Sequence, residues 1–367
     1  MRLNGTISRV PKRLLFRLVI LSMMACQTSA KAQDSHTGVL HLKVLSTSSK
    51  RVVFDKSAFY GPSTLLPLWS NGYLVSLEAE TFQPGSPNVR LYDETGKKVR
   101  EAAIWFEGSQ RVIIYSAVAT PDGRILASGV ANKVDGTTGS FIALTDLAGR
   151  TTDVIQTNGF FPAHICQGPD GNIWSFGGTG YDDQSQPKPG DTLRRFDIEK
   201  GQISSYLPRA TFPKYPVPEE MAYIHCSIDG VVVYSSKARK YIEMKYQGDQ
   251  PHIYQVAQVP TGLRLSGFAQ TGPKRIYGHF YRSGNNGLYY LSFDEAAKTV
   301  NWVPVEGTVG IYSKPGVIRG LWGADADKLL VNRAEDAASE SKLTPWRERP
   351  LNGWLSARMI RAGCSPC

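Results

Sequence analysis

Two short stretches carry side chains whose types and spacing could do chemistry. His164 and Cys166 stand seven and five residues before Gly171, and Tyr223 and His225 stand seven and five before Gly230. Each pair is two residues apart, and alternate residues of an extended strand share a face. Imidazole changes charge near neutral pH and also ligates metals. Brought together, His164, His225 and Tyr223 could bind a divalent metal, with calcium or magnesium the expected ion, or act as acid and base. Glu220 enters the same stretch as Tyr223 and joins them as a catalytic candidate. The competing reading is a hydrogen-bonded pair of histidines that only holds neighbouring strands together, because two histidines without a ligand motif are weak metal evidence.

Four cysteines lie beyond the N-terminal region: Cys166, Cys226, Cys364 and Cys367. Cys166 is five residues before its turn glycine and Cys226 is four before its own. Those offsets put the two thiols on opposite strand faces, so a bond between them is expected only if a bulge intervenes. Cys364-Ser-Pro-Cys367 ends a tail rather than opening a helix, which favours a local disulfide or a staple over redox chemistry.

The elements that must position these groups are hairpins. Asp170-Gly171 sits between two strand-like runs, and Asn71-Gly72, Asp122-Gly123 and Asp229-Gly230 do the same. Glycine supplies the positive φ that such turns need. The four turn glycines are spaced 51, 48 and 59 residues apart. Weaker copies turn near Pro273 and Ala326. Each copy is followed by a second hairpin, as in Val89–Val99 and Phe141–Thr151. Two hairpins make a four-stranded meander, and a period near fifty of such meanders is the pattern of a β-propeller blade. The expected fold is all-β, a six-bladed propeller, with seven blades as the alternative. The strand-like runs Val39–Leu45 and Arg51–Phe54 have no blade of their own. They are expected to complete the last blade beside Trp354–Arg361 and so close the ring.

The chain has 367 residues and a formal net charge of +10. Six of the basic residues, and no acidic ones, lie in residues 1–32. The remaining 36 Lys and Arg against 32 Asp and Glu leave +4, a mixed surface that argues against a nucleic-acid partner. Residues 1–32 read as a secretory signal: a basic start, the apolar run Leu18–Ala25, and Ala30-Lys-Ala32 before the cut. Residues 33–367 are then one domain in the periplasm or outside the cell. Met23-Met-Ala-Cys26 resembles a lipobox, so a lipid anchor at Cys26 is the alternative. No later segment is apolar enough to span a membrane, and a monomer is expected.

Gly168-Pro-Asp-Gly-Asn-Ile-Trp174 resembles a blade of the virginiamycin B lyase and NHL-type propellers, and of the broader gluconolactonase superfamily. Thr120-Pro-Asp-Gly-Arg-Ile125 is the next best match. The lyase resemblance implies a catalytic histidine and a carboxylate around magnesium in a late blade. His279 is the late histidine after His252, and no carboxylate follows it closely. The lactonase resemblance implies Glu, Asn and Asp ligands that no motif places here. The resemblance therefore carries the fold and no catalytic residue. Two functions follow as expectations: an exported scaffold that binds a protein or a small molecule, or a metal-dependent lyase or lactone hydrolase at the channel mouth.

Overall fold

The computed structural model describes residues 50–53, 68–180, 188–212, 222–246, 250–282, 284–311, 317–325, 328–333 and 356–361. Among them the one helix is a 3₁₀ turn at Arg209–Thr211, and the rest of the regular structure is β.

The strand β1 is Lys50–Val53. β2 (Leu68–Ser70) and β3 (Tyr73–Leu77) lead, past the short β4 (Glu80–Thr81), into β5 (Val89–Tyr92) and β6 (Lys98–Ala102). They pair in the order β2-β3-β5-β6. The second meander runs β7 (Ser109–Ala119), β8 (Ile125–Lys133), β9 (Thr138–Thr145) and β10 (Thr151–Gln156), with β4 added beside β7. The third is β11 (Phe161–Gln167), β12 (Ile173–Gly178), β13 (Asp191–Asp197) and β14 (Gly201–Pro208). The fourth is β15 (Ala222–Cys226), β16 (Val231–Ser235), β17 (Lys240–Met244) and β18 (His252–Gln258). The fifth is β19 (Arg264–Gly272), β20 (Arg275–Arg282), β21 (Asn285–Asp294) and β22 (Thr299–Pro304), with β23 (Gly310–Ile311) beside β21. β24 (Ile318–Asp325), β25 (Lys328–Arg333) and β26 (Ser356–Arg361) begin a sixth. Its outer place is filled by β1, antiparallel to β26 with Lys50 opposite Met359 and Val53 opposite Ser356. The described residues thus give six four-stranded meanders, and the last is completed by the N-terminal strand, as expected. Val39–Leu45 lies outside the described residues.

The first strands of the meanders pack in succession, and β2 meets β24 to close the ring. The core lies between meanders. Val75 and Leu91 of the first face Val112 and Ile114 of the second, and Trp174 and Phe176 of the third face Val231 and Val233 of the fourth. Inner strands are covered on both faces, which is why Val231-Val-Val-Tyr234 need not alternate with polar residues. The fourth and fifth meanders are further joined at their outer edges. There β18 pairs with β22 in parallel, Gln255 opposite Thr299. Outer strands of consecutive meanders run in the same direction, so an edge-to-edge bond between them has to be parallel.

The turn chemistry differs from the two-residue expectation at Asp170-Gly171. The Gly168 N–H donates to the Asn172 carbonyl and the Gly171 N–H to the Gly168 carbonyl, making a three-residue loop. Only Gly171 has positive φ (79°), and Asp170 instead accepts the Asn172 N–H with its carboxylate. The same loop recurs at 93–97, 120–124, 133–137 and 146–150. A two-residue turn occurs at Asn71-Gly72, where both residues are left-handed (φ 47° and 82°).

Candidate functional site

A cavity of about 470 Å³ lies in the channel, and all six innermost strands contribute to its wall. It is lined by the later residues of those strands and by their turns: Trp69, Ser70 and Asn71 from the first meander, Ser116 and Val118 from the second, and His164 to Gln167 from the third. Tyr223 to Asp229 come from the fourth, Phe268 to Pro273 and Arg275 from the fifth, and Gly323 from the sixth. The site was expected where the inner strands begin. It lies at the opposite mouth, where they end and where the turns after β2, β15 and β19 add Asn71, Ser227 to Asp229 and Pro273 to its wall.

The candidates His164, Tyr223 and His225 all line this one cavity. Glu220 lies outside the described residues. His225 borders the cavity but is surrounded by protein, and that desolvation pushes its pKa down to about 4. The Tyr223 ring stacks on Phe268 with centroids 5.5 Å apart, and burial raises its hydroxyl pKa well above 10. Both groups are therefore uncharged at neutral pH. Among the described residues no group of three or more His, Cys, Asp and Glu side chains gathers as a metal-holding set.

Cys166 and Cys226 are bonded, with Cα atoms 5.6 Å apart. The expectation of a bulge was mistaken. Consecutive meanders stack face to face, so a bond between them needs one thiol on the forward face of the third and the other on the backward face of the fourth. Opposite strand faces are what that geometry demands. Ile165, between His164 and Cys166, points the other way, into the core shared with Val118 and Ile142. Cys364 and Cys367 lie outside the described residues.

Hydrogen bonds between neighbouring inner strands hold the wall. The Asn71 side chain donates to the Ala119 carbonyl (2.7 Å), as does the Ser70 hydroxyl (3.2 Å). The Ile165 N–H donates to Ser116 Oγ (3.3 Å). Three cavity-lining side chains carry a buried polar atom with no hydrogen-bond partner among the described residues: Gln167 Oε1, Gln270 Oε1 and Thr271 Oγ1. Gln270 and Thr271 are 6% and 4% exposed. Buried polar atoms are nearly always paired, and these three are closed off from the cavity space by packing.

His279, the late histidine, belongs elsewhere. It is 2% exposed on β20 and shares its Nδ1 with the Ser266 hydroxyl, while Nε2 donates to the Ile318 carbonyl (3.2 Å). Burial lowers its pKa to about 4. It ties the fifth meander to the sixth.

Sequence reasoning missed Ser116 and Val118, although the offsets that pick out His164 and Cys166 pick them out too, at seven and five before Gly123. It also missed Trp69, Gln270 and Thr271. The turn after Gln270 has no Asp-Gly pair from which to count.

No family model and no curated protein matches the chain. Solved structures do. A gluconolactonase from Xanthomonas campestris matches at 8% identity over 89% of this chain and 96% of its own, with a TM-score of 0.40. The PQQ-bound aldose sugar dehydrogenase from Streptomyces coelicolor matches at 12% identity over 85% and 98%, TM-score 0.40. The β-propeller domain of the Trilobed protease from Pyrococcus furiosus matches at 11% identity over 74% and 78%, TM-score 0.39. The likeness is one of fold. At these TM-scores it carries no argument, and the propeller is read from the strand pairings alone. Among the described residues, no helix is long and apolar enough to cross a membrane.

Proposed function

We propose that this chain is a binding protein that takes a small, uncharged polar ligand at the turn-side end of its central channel. The observation that carries this reading is a single cavity walled by residues from all six inner strands, with polar and aromatic side chains among them. The volume falls within the range of small-molecule sites, and the aromatic Trp69, Tyr223 and Phe268 supply the apolar part of the wall. Binding is favoured over acid–base catalysis by the same electrostatics. A proton-transferring group works best with a pKa near the working pH, and His225 and Tyr223 are displaced from neutrality in opposite directions. They serve as neutral hydrogen-bonding groups.

In this reading residues 1–32 direct export and residues 33–367 are a single six-bladed propeller acting in the periplasm or outside the cell. The Cys166–Cys226 bond supports an oxidising setting. The test is a thermal-shift screen of polar metabolites against the wild type, Tyr223→Phe and Gln270→Leu. A true ligand at a hundredfold excess over Kd stabilises the wild type by about 2.7 kcal/mol and the variants by clearly less. Ligands that stabilise all three proteins equally would refute the site.

A further inference from the structure

A second cavity, also of about 470 Å³, lies at the other end of the fifth meander and is lined by Gly262, Arg264, Tyr281 and Arg282. Arg264 opens β19, four residues before Phe268 of the channel site, a separation of roughly 13 Å along a strand. Arg264 and Tyr281 are directly opposite in the ladder and so share a face. Arg282 reaches over the loop that enters β19: a Cβ at Gly262 would lie 2.8 Å from its Nη1. Gly262 has φ +71°. Bare backbone is thus needed there both for the turn and for the guanidinium above it.

Neither Arg264 nor Arg282 has an ion-pair or hydrogen-bond partner among the described residues. Four other arginines are ion-paired, Arg111 with Glu80, Arg124 with Asp122, Arg150 with Asp146 and Arg195 with Asp170. Two guanidinium groups on one cavity, with no carboxylate paired to them among the described residues, repel each other, and an anion between them would reverse the sign of that interaction. Tyr281 completes the wall as a braced surface. It is 43% exposed, and its ring lies parallel to buried His279 at 6.5 Å, itself held by Ser266 and Ile318.

We propose that this cleft binds a doubly charged oxyanion, a phosphate or a dicarboxylate, through Arg264 and Arg282. Arginine is suited to the task because its planar fork matches both groups bidentately. The Tyr281 ring then lies against the remainder of the ligand. This site is separate from the channel and does not depend on the channel's role.

The experiment is isothermal titration calorimetry of the full chain at low ionic strength, with inorganic phosphate in one arm and succinate in the other. Saturable one-site binding is expected in at least one arm, and the arm that binds identifies the ligand's anionic group. Arg264→Gln and Arg282→Gln should each weaken it tenfold or more. Arg150→Gln, which removes the same charge at a distant paired position, should leave it unchanged. Absence of saturable binding in both arms would overturn the proposal. So would equal weakening by Arg150→Gln, which would reduce the effect to net charge. Unchanged melting temperatures of the variants would confirm that lost binding is not lost folding.

Discussion

Thr271→Val isolates the central physical claim about the channel. Thr271 is 4% exposed, and its Oγ1 has no partner. Folding strips water from that hydroxyl and returns nothing, a penalty of about 1–3 kcal/mol for a buried group of this kind. Valine has nearly the same shape, and threonine and valine differ little in backbone preference. The substitution removes the penalty without opening a cavity. The ligand-free protein should therefore become more stable, by about 1 kcal/mol after allowing for imperfect packing of the new methyl. Urea unfolding followed by tryptophan fluorescence measures this effect as a rise in midpoint at constant slope. Destabilisation by 1 kcal/mol or more would refute the reasoning. It would mean that Oγ1 already has a partner in the folded protein and that the channel wall is structurally complete.

Three other perturbations follow from the fold. Reducing the Cys166–Cys226 bond releases a loop with a sequence separation of 60 and should destabilise the protein by about 4 kcal/mol, read as a lower denaturation midpoint in dithiothreitol that Cys166→Ser reproduces. His279 has its folded pKa lowered to about 4 from 6.5, so the unfolded state binds the proton more readily. His225 is shifted the same way, so each of the two histidines removes about 3 kcal/mol as pH drops from 6.5 to about 4, and neither contributes above pH 6.5. His279→Gln should remove about half of that limb of the pH–stability curve and leave the part due to His225. Gly177→Ala would place a Cβ 2.0 Å from the Phe161 carbonyl oxygen, whereas at Gly139 the nearest atom is Gln156 Oε1 at 3.5 Å. The first should cost more than 3 kcal/mol or prevent soluble expression, and the second should change stability by less than 0.5 kcal/mol in the same urea assay.

The fold was legible because turn chemistry is local. Asp122-Gly123 and Asp170-Gly171 mark loops whose glycine must take positive φ, and the strands between them are apolar on both faces for a reason the ring supplies. Counting back from the turn glycines found His164, Tyr223 and His225, and the same count would have found Ser116 and Val118, so three of the six strands of the channel wall were within reach. The mouth at which the cavity lies was not, because strand periodicity says which face a residue shares and not which end of a channel stays open. The cysteine bond was misjudged for a geometric reason. Face parity was applied as if Cys166 and Cys226 lay on one sheet, while stacking places them on facing surfaces of two. Gln270 and Thr271 escaped because their significance is an unmet hydrogen bond, a property of packing that no residue type announces. Arg264 and Arg282 are eighteen positions apart in the sequence and come to one cavity only through the β19–β20 hairpin.

The measurement that bears most directly on the account is a crystal structure of the full chain with the strongest ligand from the thermal-shift screen. The account predicts that ligand in the channel, at the turn-side mouth, in contact with Trp69, Tyr223 and Phe268. A ligand seated outside the channel would contradict it.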